Sequence, residues 1–294
     1  MIMTKEPKPL TAAIIPYQGK RLASEYACKI IGILSQLGCS FTVPESFAEA
    51  VQGERVRYFG SEFETVENAD IAISIGGDGT IIHTAKDAAV LGKPVLGVNC
   101  GRLGFVAGLE PSELESVSRL LSGDYTVDER MMLEISVIKQ NETHCAYALN
   151  DVTVTNGAVS RMIDLDVLLN GEFITSYRAD GLILATPTGS TAYSLSAGGP
   201  VIEPHMKCIL LTPICPHSLF SRSVLFSDDS EVTILKGKES RENPYVTIDG
   251  RMSEPICSGD RIVVRKAAIS ARFIRLNSKN FYTILNDKLN ERMG

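Results

Sequence analysis

Alternating strand and helix patterns fill the first third of the chain. Residues 12–16 form a short apolar run typical of a strand, and apolar residues recur at helical spacing over residues 22–37, before Gly38. A second, Ile-rich run, residues 71–75, carries no charge and predicts a strand that is buried on both faces. A helical pattern and another strand pattern, residues 95–99, follow it. This alternation predicts an α/β domain with a parallel, Rossmann-like sheet and ligands at the carboxyl ends of its strands.

The pattern changes from helical to alternating after Gly123. The Asn170-Gly171 pair is a hairpin signal. We therefore expect an all-β, sandwich-like second domain, with strands in residues 133–137, 147–155, 182–185, 208–212, 231–235, 245–248 and 261–264.

A helical stripe at the end of the chain does not suit a β sandwich. Its apolar positions are Phe281, Ile284, Leu285, Leu289 and Met293. We expect this C-terminal helix to return to the first domain. The predicted domains are therefore residues 1–129 plus about 270–294, and residues 130–269.

The Ile-rich run stops at a glycine-rich loop, Gly76-Gly-Asp-Gly-Thr80. Three glycines in four positions permit close approaches that a Cβ would forbid. Since a helical pattern starts at Thr80, polyphosphate can lie against free backbone N–H groups at a helix N-terminus. A carboxylate is a poor phosphate ligand, so Asp78 indicates work on a hydroxyl group or a metal ion. The alternative is a purely structural strand-to-helix turn.

Two common phosphate-binding motifs are excluded. The position where the GxGxxG fingerprint requires a third glycine, after Gly77 and Gly79, is Ile82. No Gly-Lys-Ser/Thr sequence occurs anywhere, which excludes a P-loop. A second candidate loop, residues 99–105, follows the next strand, and we expect the two strand ends to lie close together.

Polar residues interrupt an apolar strand pattern at Asn150-Asp151. An adjacent amide and carboxylate can bind two vicinal ribose hydroxyls, because Asp accepts both protons while Asn donates and accepts. The alternative is that the pair only starts a bulge or a turn. Residues 177–200 are rich in hydroxyls and glycines, with few charges, which suits adenine, ribose and amide recognition. A Ser/Thr/Gly-rich turn without a special role is the alternative here.

Net charge, cysteine and histidine spacing and the length of apolar runs limit the possible partners and the compartment of the protein. A net charge of −6 argues against a sequence-blind nucleic-acid surface, which needs clustered basic residues. The seven cysteines lack a Cys-x-x-Cys pair and the four histidines lack ligand spacing, so we expect buried thiols in a reducing compartment and no metal-ligating residues. No apolar run reaches about 18 residues, and the first residues lack the apolar core of a signal peptide. We therefore expect a soluble, cytoplasmic protein without a membrane partner.

Taken together, these motifs closely resemble those of the NAD kinase family, in sequence and in order. The Gly-Gly-Asp-Gly-Thr motif alone is shared with phosphofructokinases and with diacylglycerol and sphingosine kinases. The block at residues 186–193 is far more specific. The matching motifs are residues 76–80, 99–105, 150–151, 180–193, 196–200 and 215–219.

The resemblance implies a fold and a reaction. Family members have an α/β N-terminal domain, a β-rich C-terminal domain and a tail that packs back on the first. They move the γ-phosphoryl group of ATP, or in some relatives of inorganic polyphosphate, to the 2′-hydroxyl of the adenosine ribose of NAD. The implied cofactor is Mg²⁺, or another divalent cation, bound with ATP. Members are homo-oligomers with dinucleotide sites near subunit contacts, so a dimer or tetramer is implied.

The resemblance also implies roles for single residues. Asp78 matches the general base of the family, and Asn150 with Asp151 matches the pair that holds the ribose and base of the dinucleotide. Residues 249–251 correspond to a loop near the acceptor hydroxyl. Asp151 stands where the family commonly has Glu, and Arg251 where Gln is frequent. The remaining candidate nucleotide-binding residues are Gly79, His83, Arg161, Arg178, Asp180, Thr191, Ala192, Tyr193, Ser194, Leu195 and Ser196. Among these, His83 and Arg161 are candidates for phosphate contact whose alternative is a solvated side chain.

Two other functions stay open at this point. A lipid or sugar-phosphate kinase of the wider Gly-Gly-Asp-Gly-Thr group would need a lipid-accepting groove or a basic cluster, and nothing after Asn150 indicates either. A non-catalytic NAD-binding regulatory protein would share the dinucleotide loops, but Asp78 would be dispensable for it.

Overall fold

The computed structural model describes residues 9–101, 104–157, 162–218, 221–237, 243–276 and 280–291. Arg161, one of the predicted site residues, lies outside them. The chain divides into two units, the first formed by residues 1–129 and 271–294 and the second by residues 130–270.

The described strands are β1 (Thr11–Pro16), β2 (Ser40–Pro44), β3 (Val56–Phe59), β4 (Ile71–Gly76), β5 (Pro94–Asn99), β6 (Thr126–Ile138), β7 (Thr143–Ala148), β8 (Asp151–Thr155), β9 (Ile163–Leu169), β10 (Glu172–Ala179), β11 (Gly181–Ala185), β12 (Cys208–Ile214), β13 (Val224–Ser227), β14 (Val232–Lys236), β15 (Tyr245–Ile248), β16 (Met252–Pro255) and β17 (Arg261–Arg275). The described α-helices are α1 (Arg21–Ser35), α2 (Glu62–Glu67), α3 (Asp78–Val90), α4 (Arg119–Ser122), α5 (Tyr193–Ser196) and α6 (Phe281–Glu291). Three 3-10 helices complete the described elements: Glu45–Phe47, Pro111–Ser118 and Thr188–Thr191.

The first unit is an α/β domain with a parallel sheet, which confirms the predicted fold class. Its strand order is β3-β2-β1-β4-β5, with the end of β17 parallel to β5. Every residue of β4 is buried, as its uncharged Ile-rich sequence predicts. Helix α1 buries one face that includes Ile30 and Leu34, and each such side chain contributes roughly 1.5–3 kcal/mol. The chain turns after this helix at Gly38, whose φ of 87° suits glycine.

Residues 44–67, which the sequence pattern leaves unassigned, contain three short elements. They are the 3-10 helix Glu45–Phe47, strand β3 and helix α2, which Ser61 caps by accepting from the Glu64 N–H. Strand β3 has no fully buried residue. A short, partly exposed strand leaves no apolar pattern that sequence reasoning could detect.

The second unit is a β sandwich, as predicted. One sheet has the antiparallel order β13-β12-β11-β8-β15-β16. The other contains β10, β9 and β14, which pair antiparallel in that order. Strand β14 also pairs antiparallel with the first residues of β17. Side chains of both sheets share one core, for example Val152 and Leu184 of the first with Leu165 and Ile234 of the second.

Two local predictions in this unit have different outcomes. The hairpin prediction is confirmed, because Asn170 (φ 52°) and Gly171 (φ 83°) join the antiparallel strands β9 and β10. The single strand predicted over residues 147–155 is wrong. Strand β7 ends at Ala148 and β8 begins at Asp151, and the two belong to different sheets. The apolar pattern resumes directly after Asn150-Asp151, so periodicity alone does not show that the chain changes sheet there.

The C-terminal helix α6 returns to the first unit, as predicted. The ring of Phe281 lies 6.1 Å from that of Phe105, and Ile284 is buried. No described helix has both the length and the hydropathy needed to cross a membrane. All seven cysteines are free, but the expectation that most are buried is wrong, since only Cys39, Cys100 and Cys208 are buried.

Candidate functional site

The glycine-rich loop joins β4 to α3 in the first unit. Gly76 pairs with Asn99 at the ends of adjacent strands, and the Cys100 N–H donates to the Gly76 carbonyl at 3.0 Å. The two predicted loops therefore start side by side. A Cβ on Gly76 would lie 2.7 Å from Thr80 Oγ1, so this position requires glycine. Gly77 and Gly79 are exposed at the start of α3, where backbone N–H groups lack helical partners.

The Asp78 carboxylate is held by donors from two other segments of the first unit. Its Oδ2 accepts from the Phe105 N–H at 2.9 Å, and its Oδ1 accepts from the Val106 N–H at 3.3 Å. Lys288 Nζ lies 3.4 Å from Oδ2. A Cβ on Gly104 would lie 2.1 Å from Oδ1, so a glycine in the second loop makes room for the carboxylate. Asp78 is thus fixed in orientation at a helix N-terminus.

Two lysines that the sequence motifs do not include lie near these two loops. Besides Lys288, Lys20 is close, because a Cβ on Gly101 would lie 3.4 Å from Lys20 Nζ. Lys20 follows the end of β1, so the rule that ligands bind at the carboxyl ends of parallel strands could have found it. Lys288 carries no such signal. The predicted His83 lies on α3 with its Nε2 3.8 Å from Glu62 Oε2, which gives it an acidic neighbour.

In the second unit, the backbone around Asn150 and Asp151 is held by one carboxylate. The two oxygens of Asp249 accept from the N–H groups of Leu149, Asn150 and Asp151 at 2.9, 2.9 and 3.0 Å. The Asp249 N–H in turn donates to the Asp151 carbonyl at 2.9 Å. Asp249 has a φ of 46°, a left-handed conformation that Asp tolerates better than most residues. The bend at Asn150 and the start of β8 at Asp151 are therefore held in a defined conformation.

Asp151 is a buried acid, with 6% of its surface exposed. Burial, and to a smaller extent the charge of Asp249, raises the pKa of Asp151 to about 7. This carboxyl group therefore changes its charge near neutral pH. It is suited to accept hydrogen bonds from hydroxyls when it is ionised.

This pKa predicts how stability depends on pH. In the unfolded chain Asp151 ionises near its ordinary value of 3.8, but in the folded chain near 7. Its contribution to stability is complete below pH 4 and is lost as the pH rises to about 7, by at most roughly 1.4 kcal/mol per pH unit. We therefore expect Asp151→Asn to gain stability relative to the wild type as the pH rises over this interval. Urea denaturation of both proteins at pH 4.5, 5.5 and 7 measures their free energies of unfolding. A difference between the two that stays constant with pH would contradict the raised pKa of Asp151.

The block at residues 186–199 packs against Asn150. Thr186 Oγ1 donates to the Leu149 carbonyl at 2.6 Å, and the Thr186 N–H donates to the Asn150 carbonyl at 2.8 Å. A Cβ on Gly189 would lie 2.0 Å from the Asn150 carbonyl oxygen, so this close approach needs glycine. The block is therefore tied to the Asn150-Asp151 pair and is more than an isolated turn.

Members of this block divide into internal and accessible residues. Ser194 is buried and its Oγ lies 2.8 Å from Thr212 Oγ1. Tyr193 is 45% exposed and Ser196 is exposed as well. The three remaining predicted residues are half-buried: Thr191, Ala192 and Leu195. A ligand beside this block would meet the tyrosine ring and short polar groups.

Two predicted residues lie before strand β11, Arg178 near the end of β10 and Asp180 between the two strands. Ala185 pairs with Asp151, whereas Gly181 pairs with Thr155 four residues away, about 13 Å along the strand. Arg178 and Asp180 precede Gly181 and are exposed. The fold therefore does not bring them to Asp151 within the second unit. Arg251 is also exposed, two residues after Asp249.

Comparison with known proteins identifies the family of each part of the chain. The model of the ATP-NAD kinase N-terminal domain matches residues 12–125, and that of the ATP-NAD kinase C-terminal domain matches residues 149–276. The NAD kinase of Acetivibrio thermocellus is 38% identical over 285 residues, which cover 96% of this chain and 98% of that relative. The NAD kinase of Heliobacterium modesticaldum is 44% identical over 230 residues, which cover 78% and 81%.

Two solved structures share the fold. Yeast NADH kinase complexed with NADH has a TM-score of 0.88 and 28% identity, covering 97% of this chain and 89% of that chain. The NAD kinase from Archaeoglobus fulgidus in complex with ATP has a TM-score of 0.71 and 26% identity, covering 94% and 96%. Because both family models match and the relatives span nearly the whole sequence, this chain belongs to the ATP-NAD kinase family.

Proposed function

We propose that this chain transfers the γ-phosphoryl group of ATP to the 2′-hydroxyl of the adenosine ribose of NAD, forming NADP and ADP. The observation that carries the proposal is the Asp78 carboxylate, oriented by two backbone N–H groups beside a glycine-rich helix N-terminus. Membership of the ATP-NAD kinase family supports the reaction. The relatives in complex with NADH and with ATP support the two substrates.

Asp78 acts in this proposal as the general base. A ribose hydroxyl is a weak nucleophile, and a carboxylate that accepts its proton accelerates the reaction by about 10²–10⁴-fold. The 2′-oxygen then forms its bond to phosphorus while the bond to ADP breaks. Most of the remaining acceleration comes from holding the two reactants in line. The N–H groups at the start of α3, together with Lys20, are suited to hold the phosphates.

Recognition of the dinucleotide is assigned to the second unit. We place the adenosine ribose and base at Asn150 and Asp151, with the Tyr193 side of the neighbouring block beside them. The support is chemical, since an amide, a carboxylate and an exposed aromatic ring provide the hydrogen bonds and the stacking surface that a nucleoside needs. In this division of labour the first unit, residues 1–129 and about 270–294, binds the phosphoryl donor, and residues 130–269 bind NAD.

The proposed divalent cation is Mg²⁺ that arrives with ATP. Among the described residues, no three His, Cys, Asp or Glu side chains lie together as a metal site. Mg²⁺ usually keeps several waters and binds largely through substrate phosphates, so an ion that arrives with ATP needs no cage of protein side chains. Asp78 is assigned as the base and not as a ligand, because its two oxygens already accept the Phe105 and Val106 N–H groups and Lys288 lies beside Oδ2. When bound, the ion neutralises phosphate charge.

A homo-oligomer, a dimer or tetramer, is part of the proposal. Arg178 and Asp180 match family residues that contact the dinucleotide, yet Arg178 is on β10 and Asp180 precedes Gly181, which lies about 13 Å along β11 from the Asp151 end. We propose that they serve the site of a neighbouring copy. We also place the protein in the cytoplasm, where its seven free cysteines suit the reducing conditions.

An assay of NADP formation tests this function. Purified protein is incubated with Mg²⁺, NAD and either ATP or inorganic polyphosphate, and we expect NADP with at least one donor. Parallel reactions with diacylglycerol, sphingosine and fructose 6-phosphate as acceptors test a lipid or sugar-phosphate kinase. Absence of NADP with both donors, combined with calorimetric binding of NAD, would instead support a non-catalytic NAD-binding protein.

A further inference from the structure

The C-terminal helix α6 brings a cation to the candidate catalytic carboxylate. We propose that Lys288 is a further catalytic residue, whose ammonium group moves from Asp78 to the transferring phosphoryl group as Asp78 accepts the proton. This inference rests on the proposed role of Asp78 as the base. It concerns a residue that none of the sequence motifs contains.

Lys288 is held by two contacts. Its Nζ lies 3.4 Å from Asp78 Oδ2 and 4.0 Å from the centroid of the Phe105 ring. The side chains of Lys288 and Asp78 are 23% and 27% exposed. An ammonium over an aromatic face is attracted by the ring as well as by the carboxylate, so it has a resting place that does not depend on Asp78 alone.

The position of Lys288 follows from the packing of α6. Phe281 contacts Phe105 and Ile284 is buried, and Lys288 follows these residues by seven and four positions. Residues at these spacings share one face of a helix. The face that attaches α6 to the first unit therefore also presents Lys288 to Asp78. The Phe105 residue beneath it supplies the N–H that binds Asp78 Oδ2.

The charges explain why the ammonium would move. While Asp78 is ionised, Lys288 is paired with it. The proton of the 2′-hydroxyl goes to Asp78, which becomes neutral, and Lys288 keeps its own proton and loses its partner. In the same step negative charge is redistributed over the phosphoryl oxygens and the ADP leaving group. A cation released at this moment stabilises the transition state more than the bound substrates, which raises kcat rather than affinity.

Among the described residues, two lysines lie near the two loops, Lys20 and Lys288. The chain has no P-loop lysine, and the loop Gly76-Gly-Asp-Gly-Thr80 itself is uncharged except for Asp78. Lys20 lies beside Gly101 in the second loop, where its charge acts on the Cys100 thiol. Within the described part of the chain, Lys288 is thus the lysine that is paired with the candidate base.

Kinetics of Lys288 variants test the inference. We expect Lys288→Met to lower kcat about tenfold or more, with the KM for NAD changed less than about twofold. Lys288→Arg keeps the positive charge and should restore most of the rate. Asp287→Asn changes an exposed neighbour on the same helix and serves as the matched control, with unchanged kcat. Thermal denaturation of each variant verifies that it is folded.

Two results would overturn the inference: a normal kcat in Lys288→Met, or an Arg variant as slow as the Met variant in spite of a normal melting temperature. Asp78→Asn in the same assay separates this inference from the proposed base. If Asp78→Asn turns over normally, the base assignment fails. If Asp78→Asn is inactive while Lys288→Met is normal, only the role of Lys288 fails.

Discussion

Replacing Asp78 by Asn lowers kcat for NADP formation by at least about a hundredfold, while NAD continues to bind. Asn has nearly the shape of Asp and can still accept a hydrogen bond from the Phe105 or Val106 N–H, so the loop should keep its conformation. It cannot accept the proton of the ribose hydroxyl. The expected loss is therefore that of general base catalysis, about 10²–10⁴-fold in rate, with little change in KM.

A carboxylate at the other end of β4, the strand that leads to Asp78, provides a control for this substitution. Asp70 precedes β4 at its amino end, and its Oδ2 accepts from the Thr11 N–H at 2.9 Å. Asp70→Asn thus removes a carboxylate that also binds a backbone N–H, but at the opposite end of β4. Its kcat should remain within about twofold of the wild type. Steady-state rates from NADP formation, with NAD affinity from calorimetry, decide the matter, and near-normal turnover of Asp78→Asn would refute the base assignment.

The second large effect is expected on NAD binding. Asp249→Asn should weaken the affinity for NAD about a hundredfold, with a smaller effect on kcat. The carboxylate accepts three backbone N–H groups around Asn150, and an amide has only one oxygen for them and turns a donor toward the rest. Hydrogen bonds to charged groups contribute roughly 1.5–3 kcal/mol each, and a hundredfold in affinity is about 2.8 kcal/mol. Asn also tolerates the left-handed conformation, so the turn itself is preserved.

Asp249 acts here as a positioning residue for Asn150 and Asp151, and pH provides a readout that a purely structural role would not change. Its charge contributes to the raised pKa of Asp151, although burial contributes more. If ionised Asp151 binds the ribose, NAD affinity declines as the pH falls and Asp151 becomes protonated. In Asp249→Asn the pKa of Asp151 should be lower, so this decline should begin at a lower pH. Asp260, whose Oδ2 accepts from the Cys257 N–H at 2.8 Å, is the matched control. Asp260→Asn can lower stability but should leave NAD affinity and its pH dependence unchanged, and equal effects of the two variants would contradict the assignment.

Local sequence patterns predicted the elements whose conformation depends on the residues of one short segment. Strand β4 and its glycine loop are recognisable because a buried strand needs uncharged side chains and a close turn needs glycine. The hairpin at Asn170 is recognisable for a similar reason, since its two left-handed residues favour Asn-Gly. The resemblance to NAD kinases added the order of the motifs, which physical reasoning on single segments does not provide.

Long-range contacts account for what the sequence did not reveal. Lys288 and Asp78 are 210 positions apart, and Asp249 is 98 to 100 positions from the residues that it holds. Neither pair has a spacing or a periodicity that signals contact. The change of sheet at Asn150 was missed for the same reason, because the partner strands, and not the apolar pattern, determine where β7 ends and β8 begins.

The first unit is built from both ends of the chain, so it cannot be completed until the last part of the chain has been synthesised. Strand β5 gains its outer partner only when Arg272 and Phe273 have been made, since these residues pair with Pro94 and Val95. Until then, β5 remains an unpaired edge on the nascent polypeptide, open to association with other strands. Helix α6 emerges from the ribosome later still. A growing chain therefore carries Asp78 without its lysine until residue 288, 210 positions later, has been made.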